Sequence, residues 1–107
     1  MLLPEARITA IDIDKNSIEN AKHNIELNHV EKQISLSQNS LESFCKSNNQ
    51  QFDTLLSNLT AEVIVDCLPA YNTLLSNSGN LILAGIIEER LNLLKKEIDP
   101  IFIQARY

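Results

Sequence analysis

The spacing of apolar positions changes repeatedly along the chain. Ile8-Thr9-Ala10-Ile11-Asp12-Ile13 is an almost continuous β-branched run. Runs of this kind suit a strand buried on both faces of a parallel sheet. Asp14 then stands where a helix N-cap is expected, and Ile18, Ala21 and Ile25 recur at helical spacing. Asn28 and His29 close this helix, with Asn28 the residue suited to a left-handed turn. Gln33 to Ser37 alternates as a half-buried or edge strand does, and residues 40–46 fit a short helix. After the polar stretch 47–51, Phe52 to Asn58 reads as a third strand.

Thr60 opens a longer helix whose inward face is Ile64, Cys67, Leu68, Tyr71, Leu74 and Leu75. Pro69 predicts a kink or a break in it. Asn77 to Asn80 reads as a turn and Leu81 to Gly85 as a buried strand. Glu88 to Glu97 forms a helix with Leu91, Leu94 and Ile98 inward, stopped by Pro100. Ile101 to Tyr107 reads as a last strand. Strands alternating with helices predict an α/β fold, a doubly wound and mostly parallel sheet with helices on both faces.

Composition narrows the function classes. The 107 residues fit one small domain or part of one. Nine Lys and Arg against 14 Asp and Glu give a net charge of −5, which offers no electrostatic footprint for nucleic acid or an anionic membrane. No apolar run approaches the roughly 20 residues that span a bilayer, and the start lacks the pattern of a secretion signal. Cys45 and Cys67 are too few to frame a disulfide scaffold or a four-cysteine metal site. A cytoplasmic protein with reduced thiols is the expectation.

Ligands of an open α/β sheet bind outside the carboxyl ends of its strands. The candidates there are Asp12 to Asp14, Gln38 to Ser40, Asn58 to Thr60, and Gly85. A carboxylate at Asp12 can accept hydrogen bonds from the two hydroxyls of a ribose, or it can simply cap the strand end. Asp14 is explained by helix capping alone. The Asn58 amide donates and accepts at once, which suits orienting an amine, although a turn residue bonding its own backbone has the same sequence. Asn58-Leu59-Thr60 matches a glycosylation sequon, which carries no weight without a secretion signal. His23 and His29 have no Cys or second His beside them in sequence, Cys67 lies on a core face, and Glu88-Glu89 fits a solvated first turn.

Taken in order, these segments resemble the class I S-adenosylmethionine-dependent methyltransferases, and among them the ribosomal protein L11 methyltransferase group. The resemblance rests on Ala10-Ile-Asp-Ile-Asp14 with Asn24-Ile-Glu-Leu-Asn28, on Ser40-Leu41-Glu42, on Leu56-Ser-Asn-Leu-Thr-Ala61, and on Leu81-Ile-Leu-Ala-Gly-Ile-Ile87 with Glu88-Glu89. It covers about residues 8–98. It implies that Asp12 binds the ribose of S-adenosylmethionine and that Ile13 packs on the adenine. Asn39 and Ser40 would lie near the adenine edge. Asn58, the catalytic candidate, would line the site by the cofactor's amino-acid end and the target amine. The implied reaction is methyl transfer to amino groups of a ribosomal protein, which needs alignment more than a covalent nucleophile.

The chain also departs from that family pattern. It holds two glycines, Gly79 and Gly85, and no glycine-rich loop before the first recognisable strand. His29 stands where the family usually has glycine. The resemblance therefore implies an incomplete domain over residues 1–107, lacking the first, central strand and its loop, with little activity alone. About four buried apolar side chains on such a strand are worth roughly 6–12 kcal/mol, against a net domain stability of about 5–15 kcal/mol. A chain without it is expected to be marginal, to pair its two flanks directly, or to self-associate through open sheet edges. The alternative reading is a non-catalytic interaction module that kept the fold. A nicotinamide-dependent Rossmann enzyme shares the acidic residue but leaves the Asn58 segment unexplained, and no Lys follows the Leu81–Gly85 strand as a receiver domain would require.

Overall fold

The computed structural model describes residues 5–100. They form two compact units, divided between Lys46 and Ser47.

The first unit is one βαβ element with a short helix after it: β1 (Ile8–Asp12), α1 (Lys15–Leu27), β2 (Ile34–Gln38) and α2 (Leu41–Ser47). Parallel pairing needs a crossover of a dozen or more residues, which α1 supplies. β1 and β2 run in unbroken register from Ile8 opposite Ile34 to Asp12 opposite Gln38. The expected face of α1 is its least exposed one, with Ile18, Ala21 and Ile25 half-buried. Asp14 caps the helix as expected, accepting from the Asn16 backbone N–H at 3.2 Å and the Ser17 hydroxyl at 2.9 Å.

The other end of α1 differs from expectation. The left-handed residue is His29, at φ 56°, while Asn28 stays at φ −95°. The Val30 N–H donates to the Ile25 carbonyl and the His29 N–H to the Glu26 carbonyl, the paired bonds of a Schellman motif. This motif fixes the left-handed position one residue past the cap. Asn28 instead turns its side-chain amide back onto the Asn24 carbonyl at 2.7 Å.

The second unit holds β3 (Phe52–Asn58), α3 (Ala61–Leu74), β4 (Leu75–Ala84), a 3-10 turn (Glu88–Arg90) and α4 (Leu91–Ile98). Its core is Ala61, Ile64, Leu68, Tyr71, Leu74, Leu75, Leu94 and Ile98. The inward positions expected on α3 are buried except Cys67, which is half-buried, and Leu94 and Ile98 of α4 close on them. An ion pair of 3.0 Å between Arg90 and Glu62 ties the 3-10 turn to α3.

Several expectations are corrected here. The parallel strands make two separate two-stranded sheets, β1–β2 and β3–β4, so the flanks are not joined by direct β1–β3 pairing among the described residues. Nor is β1 buried on both faces, since Ile8 is 38% exposed and Thr9 and Asp12 are exposed as well. α3 runs through Pro69 without a break. Pro69 is exposed, so the backbone group its ring leaves unbonded lies on the wet side, where water can satisfy it. The turn expected at 77–80 lies inside β4. Between Phe52–Leu75 and Thr54–Asn80 the register slips, and residues 76–79 form a bulge. Gly79 permits it, because a side chain there would meet the Asp53 and Phe52 carbonyls at 3.1 Å. The expected helix at Glu88 begins as a 3-10 turn. The strand expected at Ile101–Tyr107 lies outside the described residues.

Candidate functional site

Four of the five residues singled out for cofactor contact meet at the carboxyl ends of β1 and β2. The Asp12 carbonyl accepts from the Asn39 backbone N–H at 2.9 Å, extending the ladder one residue past the end of β2. The Gln38 side-chain amide donates to the Ile13 carbonyl at 3.3 Å. These two bonds hold Asp12, Ile13, Asn39 and Ser40 on one rim. The cause is the parallel in-register pairing, which brings both strands to an end at the same level.

Asp12 has the geometry of both its readings. One carboxylate oxygen accepts from the Asp14 backbone N–H at 2.9 Å, an Asx-type turn that leads the chain into α1. The second oxygen takes no hydrogen bond from the described residues, and the side chain is exposed. Beside it Ile13 is the more exposed of the two isoleucines at this strand's ends. An apolar side chain next to an acceptor carboxylate can hold a group that has a flat apolar face and vicinal hydroxyls.

Ser40 is occupied structurally. Its hydroxyl accepts from the Ser43 backbone N–H at 3.1 Å and its carbonyl from the Phe44 N–H at 2.9 Å, so it caps α2. Asn39 is half-buried beside it. Asp14 is held below the ordinary carboxylate range, chiefly by the Ser17 hydroxyl and then by the Asn16 N–H. That agrees with a capping role.

Asn58 belongs to the second unit, where it ends β3 opposite Ala84 of β4. It is exposed. Two contacts fix its surroundings. The preceding residue, Ser57, shares a 2.7 Å hydrogen bond with the Tyr71 hydroxyl of α3. Gly85, just past Ala84, adopts φ +83°, and a side chain built on it would collide with Asn58 Oδ1. Sequence reasoning placed Tyr71 only in the core and Gly85 only at a strand end. The signal for Tyr71 was its hydroxyl, since a buried Tyr needs a partner for it. For Gly85 it was the rarity of glycine in this chain.

The remaining candidates stay apart from chemistry. Neither cysteine is in a disulfide, and burial pushes the Cys45 thiol up, away from the reactive thiolate. Glu88 and Glu89 are exposed, as a solvated turn should be. Among the described residues there is no group of His, Cys, Asp and Glu able to hold a metal ion, and no helix long and apolar enough to cross a membrane.

Comparison with known proteins places the chain by sequence and fold. A ribosomal protein L11 methyltransferase from Pediococcus pentosaceus is 34% identical over 86 residues, covering 80% of this chain and 26% of the relative. The protein of the same name from Staphylococcus haemolyticus is 39% identical over 90 residues, covering 83% of this chain and 28% of the relative. The chain thus spans roughly a quarter of the length of these curated relatives. The crystal structure of a ribosomal protein L11 methylase from Lactobacillus delbrueckii superposes with a TM-score of 0.83 at 26% identity, over 94% of this chain and 50% of that one. A precorrin 8W decarboxylase from Methanobacterium thermoautotrophicum, 17% identical with a TM-score of 0.76 over 92% of this chain and 52% of that one, shares the fold alone. The family model for ribosomal protein L11 methyltransferase matches residues 1–106, so the chain belongs to that family.

Proposed function

We propose that this chain supplies part of the cofactor site of an S-adenosylmethionine-dependent methyltransferase acting on amino groups of a ribosomal protein, in a cytoplasmic setting. The observation that carries the reading is the rim where the exposed Asp12 carboxylate, with one oxygen unengaged among the described residues, stands beside the exposed Ile13. Asp12 accepts from the ribose hydroxyls, and its bond from the Asp14 N–H keeps the carboxylate aimed outward. Ile13 covers one face of the adenine. Asn39 and Ser40 border its edge. S-adenosylmethionine supplies the methyl group, which its sulfonium makes electrophilic. Asn58 orients the accepting amine through its amide, and alignment is the main contribution asked of it.

The test is an amide-resolved NMR titration of the chain with millimolar S-adenosylhomocysteine. Shifts are expected at Asp12, Ile13, Asn39 and Ser40. Loss of charge-assisted bonds worth about 1.5–3 kcal/mol each predicts that Asp12→Ala weakens binding by at least about tenfold. Unchanged affinity in that variant, or no shift on this rim, overturns the ribose assignment.

One observation favours a second reading, an interaction module. Leu56 and Ile82 are cross-strand partners, 73% and 51% exposed. Self-association through this sheet predicts a dimer in sedimentation that Leu56→Lys disperses. A parent chain that stays monomeric at every concentration excludes it.

A further inference from the structure

We infer that Gly85 is a positioning residue for Asn58. The inference rests on the role proposed above for Asn58 and extends it to a residue that touches no ligand. Asn58 and Ala84 are register partners at the ends of β3 and β4, so the residue after Ala84 lies beside the Asn58 side chain. That residue has φ +83°, a conformation that favours glycine. The space a Cβ would fill there is already taken. It would strike Asn58 Oδ1 and lie 3.2 Å from the Leu59 carbonyl. The Asn58 amide therefore rests in a notch that exists only because residue 85 lacks a side chain.

The notch restricts an otherwise exposed side chain. An asparagine amide has a broad second torsion and could turn freely at a strand end. With one end of the amide seated against Gly85, its plane is set before any ligand arrives. The Ser57–Tyr71 bond acts from the other side by fixing the backbone that carries Asn58 to α3. A site that works by alignment gains from such fixing, because geometry settled in advance need not be settled on binding.

The experiment is a double-mutant cycle on the full chain with Gly85→Ala and Asn58→Ala, read by denaturant unfolding and by the side-chain amide signals of Asn58. Alone, Gly85→Ala should displace or broaden the Asn58 side-chain signals while the amides of α1 stay unmoved. In the Asn58→Ala background the clash with the amide is gone and only the backbone cost remains. The loss of folding equilibrium constant caused by Gly85→Ala should then shrink by about tenfold or more. If Gly85→Ala alone fails to fold, recovery of folding in the double variant supports the notch and continued failure overturns it. Additivity within about twofold, or unmoved Asn58 signals, also overturns it. Adding S-adenosylhomocysteine separates the two ideas. A parent chain that shows no ligand shifts at Asp12 sinks the cofactor reading, while the cycle still decides Gly85.

Discussion

The Ser57 hydroxyl and the Tyr71 hydroxyl lie 2.7 Å apart, joining the end of β3 to the buried face of α3. Tyr71 is 3% exposed, whereas Ser57 is half-buried, so the two ends of this bond are not equivalent. Tyr71→Phe leaves a serine that water can reach, and should cost about 0.5–1.5 kcal/mol. Ser57→Ala leaves the buried phenol only the weak Cys67 sulfur as a partner, and should cost more, about 1–3 kcal/mol. Chemical denaturation of both variants checks the order. Burial, more than any other cause, raises the Tyr71 pKa above its ordinary 10.0. Its contribution to stability is then complete below pH 10.0 and declines as pH rises toward the folded-state value. Tyr71→Phe should flatten stability in that alkaline range.

Asp14 predicts the opposite pH behaviour. Its pKa is lowered by the Ser17 hydroxyl and the Asn16 N–H. Such a group stabilises the fold above the unfolded carboxylate value of 3.8, and the contribution is lost as pH falls through the folded value. Asp14→Asn should keep the cap and remove this acid dependence, while Asp14→Ala should lose helix α1 content near neutral pH as well. Far-ultraviolet circular dichroism across an acid titration follows both. An Asp14→Ala variant with parental helicity and melting would contradict the capping role.

His29 holds a left-handed conformation that favours glycine. The Schellman bonds at Val30 and His29 require that conformation whatever the side chain. His29→Gly should therefore stabilise the chain by roughly 0.5–1 kcal/mol. A rise in melting temperature is the expected result. A fall would mean that the imidazole makes a compensating interaction.

Much of this fold was legible in the sequence where one local rule decides. Asp14 as a cap, Phe52–Asn58 as a strand and the Ile64–Leu68–Tyr71 face all follow from spacing and side-chain chemistry. What failed depends on partners distant in sequence. Asn77 to Asn80 has turn chemistry, but pairing with β3 takes it into β4, where the register slips between Phe52 and Thr54. Ile8 and Ile13 have the composition of buried strand residues, and burial needs a neighbour on each side that composition does not supply. The candidate rim was legible because parallel strands end together. The Gly85 notch was not, because it depends on which residue of β4 stands opposite Asn58.

The uneven core leads to a prediction about local stability. All eight buried apolar residues of the described chain lie in the second unit, from Ala61 to Ile98. No described residue of the first unit is fully buried, so β1 and β2 are held by ladder bonds and the half-buried face of α1. Local opening follows burial, because an opening that exposes little apolar surface costs little. Native-state hydrogen exchange should show β1–β2 amides exchanging at least about tenfold faster than the amides of α3. Binding of S-adenosylhomocysteine to the Asp12 rim should narrow that difference, since a ligand that binds only the closed form stabilises it by mass action. Equal protection in the two units without ligand would mean that they unfold as one, and the division at Lys46 would then have no thermodynamic counterpart.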